Sequence, residues 1–109
     1  MTQVSFEQFK ALDLRIGRVI EAGPHPNADR LLLLQVDIGE EAPRQVVAGI
    51  RSSYAPEDLV GKRLVLLTNL EPAVLRGVES QAMLLAASDE GRVMVLTPDG
   101  DARPGSRVG

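Results

Sequence analysis

Hydrophobic positions first recur at intervals of three and then at intervals of two. Phe6, Phe9 and Leu12 are spaced to lie on one side of a short helix. Ser5 precedes them and Gln8 follows three positions later, the pairing in which each side chain satisfies the other residue's amide. A helix this short is marginal alone, so its apolar side needs either its own core or a second subunit to pack on.

From Leu14 the period is two. Leu14 and Ile16 alternate with Arg15 and Gly17, and a glycine inside a strand predicts a bulge or sharp bend. Gly23-Pro24-His25-Pro26-Asn27 ends this strand with turn-forming residues. Residues 31–38 predict the next strand, with Leu32, Leu34, Val36 and Ile38 on one face and Gln35 and Asp37 on the other. Leu31 and Leu33 make its first half apolar on both faces. A third strand is predicted over 44–50. Pro56, followed by Glu57 and Asp58, predicts a short helix that Gly61 ends. Fourth and fifth strands follow over 62–70 and 81–88. A short sixth covers 92–97, and the tail after Pro98 reads as turns with at most a short strand.

Five strands with one helix between the third and fourth predict an all-β chain. The expected form is a five-stranded OB-fold barrel with small terminal additions, as one domain over residues 1–109. A β-sandwich or another small barrel fits the strand spacing too; the place of the helix favours the OB arrangement.

Composition narrows the chemistry. With no cysteine, disulfides, thiol nucleophiles and cysteine-held zinc are excluded, and the single histidine excludes mechanisms needing two imidazoles. His25, between two prolines, reads as a solvated loop residue. Glu40-Glu41, Glu57-Asp58 and Asp89-Glu90 fall in turns, and no spacing resembles a metal cage. Gly61-Lys62-Arg63 lacks the other residues of a phosphate loop. No enzyme activity, cofactor or metal is expected. The apolar run around Met83 to Ala87 is far too short for a membrane span, and the N-terminus lacks a basic stretch followed by an apolar one. A soluble cytoplasmic protein is expected. The net charge of -3 and the three aromatics, Phe6, Phe9 and Tyr54, argue against a surface that stacks single-stranded bases on rings. Asn69 and Ser80 at strand ends, with Arg51, Lys62, Arg63 and Arg76, mark a polar groove on the barrel, while Met83 reads as core.

Several strings, in order, resemble the tRNA-binding domain family, found at the C-terminus of many bacterial methionyl-tRNA synthetases and as small stand-alone proteins. They are Asp13-Leu14-Arg15-Ile16-Gly17-Arg18-Val19, His25-Pro26-Asn27-Ala28-Asp29-Arg30-Leu31, Val47-Ala48-Gly49-Ile50, Asn69-Leu70-Glu71-Pro72 and Leu75-Arg76-Gly77-Val78-Glu79-Ser80-Gln81-Ala82-Met83. The chain looks closest to the stand-alone form. The resemblance implies an OB barrel that dimerises through its terminal segments, with Phe6, Phe9 and Leu12 at the contact. It also implies binding of tRNA by shape rather than by sequence, in trans beside an aminoacyl-tRNA synthetase. Asn69, Ser80 and Met83 match motif residues associated with RNA contact, and Arg30, Lys62 and Arg76 match positions usually basic in the family. Two departures stand out: Ala73 and Val74 occupy positions that are commonly basic, and Ala82 replaces a usual glycine. The more apolar surface that results also suits a chaperone-like, peptide-binding module of the same fold.

Overall fold

The reciprocal bonds predicted for Ser5 and Gln8 both form: the Ser5 amide donates to Gln8 Oε1 at 2.8 Å, and the Gln8 amide donates to Ser5 Oγ at 3.1 Å. They open helix α1, Phe6–Lys10. The computed structural model describes residues 2–109, and residues 2–12 are all exposed. Helix α1 therefore buries none of its own residues against the barrel.

Strand β1, Leu14–Pro24, is long enough to serve two neighbours. Its first half, Leu14 to Arg18, pairs with β4, Arg63–Leu67, and its second half pairs with β2, Leu32–Asp37. The register slips between Val19 and Glu21, so the bulge lies beyond Gly17. Gly17 has a different reason. A Cβ there would lie 2.5 Å from Val36 Cγ1 and 2.9 Å from Leu66 Cδ1, so only glycine lets the barrel interior close over this strand.

Strand β3, Arg44–Ala48, pairs with β2, and the two-residue strand β7, Met83–Leu84, pairs with β4. The antiparallel order β3-β2-β1-β4-β7 is a nearly closed five-stranded OB barrel. Leu32, Leu34, Val36, Val46, Leu64 and Leu66 fill it, each essentially without solvent contact. The helix expected between the third and fourth strands is a single 3-10 turn, Pro56–Asp58. Its work is to insert Leu59, fully buried, into the core, and Gly61 then takes the positive φ of 90° that ends the turn.

Two segments differ from expectation. Residues 73–80 form a hairpin, β5, Ala73–Leu75, with β6, Val78–Ser80. The fifth strand breaks after β7, and its second half, β8, Ala86–Asp89, pairs with β9, Arg92–Val95. That second hairpin is drawn away by the connection after β3: the Val93 amide donates to Ser53 Oγ and the Val95 amide to Tyr54 Oη, both at 3.0 Å. The tail does end in a short strand, β10, Arg107–Val108, beside Leu14 and Arg15.

The seam between the two ends of the sheet is closed largely by side chains. The Gln81 amide donates to the Gln45 carbonyl at 2.7 Å. In return the Gln45 amide donates to Gln81 Oε1 at 2.8 Å, and the Val47 amide to Ser80 Oγ at 3.0 Å.

Candidate functional site

At one end of the barrel the β5–β6 hairpin stands against the loop after β1. Arg76 and Gly77 turn the hairpin with φ of 54° and 86°. Both central residues of a tight two-residue turn need this left-handed region, and a non-glycine residue there costs about 1 kcal/mol. Ala73, Val74 and Leu75 are all exposed, on strand β5.

His25 corrects the expectation of a solvated loop residue: it is only 4% exposed. Its Nδ1 accepts the Asn27 amide at 2.9 Å, and its Nε2 lies 2.9 Å from the Leu75 carbonyl oxygen. An amide can only donate and a carbonyl can only accept, so the proton sits on Nε2. Asn27 Nδ2 also donates to the Arg76 carbonyl at 3.3 Å.

Between hairpin and barrel lies an apolar pocket of about 130 Å³, walled by Leu70, Ala73, Leu75, Ala82 and Met83, with Ser80 at its floor. Met83 is 44% exposed and forms a wall, so its expected place in the core is not where it lies. Short β7 sits at the sheet's end and turns the thioether outward. Arg30 and Arg76, both exposed, line a second hollow with Leu31 and the exposed Asp29, and Arg76 directly follows Leu75 of the apolar pocket.

The polar residues of the site are already engaged within the chain. Ser80 is buried; its hydroxyl donates to the Ala82 carbonyl at 2.9 Å while accepting the Val47 amide. A hydroxyl has one proton, so Ser80 has none left for a phosphate oxygen. Asn69 is exposed, yet its Oδ1 accepts the Asp13 amide at 2.9 Å and its Nδ2 donates to the Ala11 carbonyl at 2.7 Å. It holds the segment carrying α1. Lys62 precedes β4 and Asn69 follows it, so at strand rise they are roughly 20 Å apart. Lys62 shares its hollow with Asp99 and Asp101 instead. Asn69, Ser80 and Met83 thus gather at one end, Arg30 and Arg76 stand beside them, and Lys62 does not join them.

One residue of this end was not legible beforehand. Arg44 donates from Nε and Nη2 to the two Glu40 carboxylate oxygens at 2.9 and 3.1 Å, and from Nη1 to the carbonyls of Thr68 and Gln81 at 2.9 and 3.0 Å. It clasps the seam. Hydrogen bonding from Arg44 holds the Glu40 carboxyl below its ordinary range, and hydrogen bonding from Arg15 does the same for Asp13. These four residues line a hollow of about 370 Å³, but their charges are spent on one another. Among the described residues no cluster of His, Cys, Asp or Glu is arranged to hold a metal, and no helix is long and apolar enough to cross a membrane.

Comparison with known proteins places this geometry. Residues 14–107 match the family model described as "Putative tRNA binding domain". The methionine–tRNA ligase of Thermococcus kodakarensis is 54% identical over 108 residues, which are 99% of this chain and 14% of the ligase. The chain thus spans a small part of the curated relatives it matches. Among solved structures, a MetRS related protein from Pyrococcus horikoshii superposes with a TM-score of 0.92 at 34% identity, covering 100% of both chains. The chaperone CsaA of Bacillus anthracis superposes at 0.89 with 33% identity, covering 99% of this chain and 100% of the other. With the family model covering all but the two ends of the chain, the chain belongs to the tRNA-binding domain family.

Proposed function

We propose that the chain binds folded tRNA by its shape, as a homodimer, in trans with an aminoacyl-tRNA synthetase, and performs no chemical step itself. The observation that carries this reading is the placement of two exposed arginines, Arg30 and Arg76, beside the apolar pocket walled by Leu75 and Met83. Arginine neutralises phosphate and the pocket accepts a base edge or ribose, so one end of the barrel offers both kinds of contact a folded RNA presents. Met83 contributes a deformable apolar surface. Ser80 and Asn69 support this surface through their internal bonds, Ser80 at the seam and Asn69 beneath the N-terminal arm. Lys62, far along β4, meets phosphate only if the RNA wraps the barrel's side.

The dimer reading rests on Phe6, Phe9 and Leu12, which the chain leaves 71%, 39% and 42% exposed. Titration with folded tRNA and with an unstructured RNA of equal length, at low and moderate salt, tests the function. Tighter binding of tRNA, weakening steeply with salt, supports it. Equal affinity for the two RNAs rejects shape recognition.

A second reading, a chaperone-like module that binds extended peptide, is favoured by the apolar pocket and by the likeness to chaperone CsaA. Binding of an unfolded polypeptide that is insensitive to salt, with no binding of tRNA, supports that reading instead.

A further inference from the structure

Residues 73–77 have few ties to the rest of the protein. Strand β5 pairs only with β6, and each contributes three residues. An isolated hairpin of this size is not stable in water. Strand β6 is tied to the barrel through Ser80 and through Gln45, whose Nε2 donates to the Glu79 carbonyl at 2.7 Å. Among the described residues, two hydrogen bonds reach residues 73–77 from outside the hairpin, and both come from the loop after β1: His25 to the Leu75 carbonyl and Asn27 to the Arg76 carbonyl.

We propose that His25 is a positioning residue, an internal latch that fixes the tip of the β5–β6 hairpin, and with it Val74 and Arg76, for contact with RNA. The proposal rests on the tRNA-binding reading above.

The geometry suits a latch. Pro24 and Pro26 flank His25 and restrict the backbone that carries it. The Asn27 amide on Nδ1 fixes the ring orientation and leaves Nε2 as the donor toward Leu75. The carbonyl it holds belongs to the residue before Arg76, whose left-handed backbone is strained and persists only while its surroundings hold it. The imidazole touches no RNA in this arrangement; it acts through the hairpin.

Two variants separate the latch from a role within His25's own turn. His25→Asn keeps an acceptor for the amide two residues on, as asparagine does in turns, but is too short to reach Leu75. His25→Gln keeps a donor of longer reach and gives up that acceptor. Amide hydrogen exchange across residues 74–79 and titration with folded tRNA are read on each full-length protein. His25→Asn should speed hairpin exchange and weaken tRNA binding, each by roughly three- to tenfold, the range expected for losing one net hydrogen bond. Exchange in β1, β2 and β4 should be unchanged, and His25→Gln should restore both readouts toward wild type.

Wild-type behaviour of His25→Asn, or equal impairment of the two variants, overturns the latch. Faster hairpin exchange with unchanged tRNA affinity overturns its positioning role. If His25→Asn does not fold, Asn27→Ala, at an exposed position, should loosen the hairpin in the same direction by a smaller factor; an unaltered hairpin then overturns the proposal. Failure of the wild type to bind tRNA removes the binding reading alone, because hairpin exchange still accepts or rejects the latch.

Discussion

The Ser80 hydroxyl oxygen accepts the Val47 amide at 3.0 Å, so a side chain completes the barrel where the sheet's two ends meet. Serine at this position is therefore first a closure device. Whatever it does for a ligand passes through the shape of the pocket above it.

Ser80→Ala leaves the buried Val47 amide without a partner and should lower stability by about 1–3 kcal/mol. Met83→Ala removes a half-exposed side chain and should cost less than that, while weakening tRNA binding by about 0.5–1.5 kcal/mol. Urea unfolding of both variants, paired with filter binding, checks the order. A larger stability loss at Met83 would return that residue to the core.

Glu40 and Asp13 are both held below their ordinary values of 4.5 and 3.8, Glu40 by Arg44 and Asp13 by Arg15. A carboxylate with a lowered folded-state pKa contributes stability above its unfolded value, and that contribution is lost as pH falls through the folded one. The urea midpoint should therefore fall as pH drops through and below the ordinary carboxylate range. Both groups are solvent-accessible, so added salt should shrink the effect. The Glu40→Gln, Asp13→Asn double variant should show a flatter profile. A profile as steep as wild type places the acid sensitivity elsewhere.

Arg44→Met keeps much of the side chain's bulk but strands the carbonyls of Thr68 and Gln81. Its stability loss should be about 1–3 kcal/mol at neutral pH. Glu40→Gln should cost less, because the carbonyl contacts remain. Thermal unfolding of the two single variants makes the comparison, and equal losses would mean that the ion pair, not the carbonyl clasp, carries the stabilisation.

Phe9→Asp should shift the oligomer toward monomer, since a carboxylate would be buried at the proposed contact. Light scattering at micromolar concentration should give twice the chain mass of 11.7 kDa for wild type and a lower mass for the variant. A wild-type mass of one chain rejects the dimer.

Ala73→Arg with Val74→Lys adds two cations to exposed β5 at little cost in stability. If this strand faces RNA, the slope of log affinity against log salt should steepen by about 0.7–0.9 per new phosphate contact. Binding of an apolar peptide should weaken instead. An unchanged slope for tRNA means that β5 does not face the RNA.

Much of the architecture was legible because it is local. The Ser5–Gln8 cap needs four adjacent residues, the alternation of Leu32, Leu34 and Val36 needs one strand, and the turn that inserts Leu59 begins at a proline. The ordered strings around His25, Asn69 and Ser80 carried the family likeness. Where each side chain stands was a different matter, because it depends on pairings between distant segments. His25 is buried because Leu75, fifty positions later, folds over it. Met83 is exposed because its strand is a short piece at the sheet's end. Arg44 acts as a clasp only once Thr68 and Gln81 arrive beside it, and no spacing within its own strand could reveal that. Periodicity reports which face of an element is apolar. Which carbonyl meets which donor is decided only when the barrel closes, because closure determines the partners of every buried polar group.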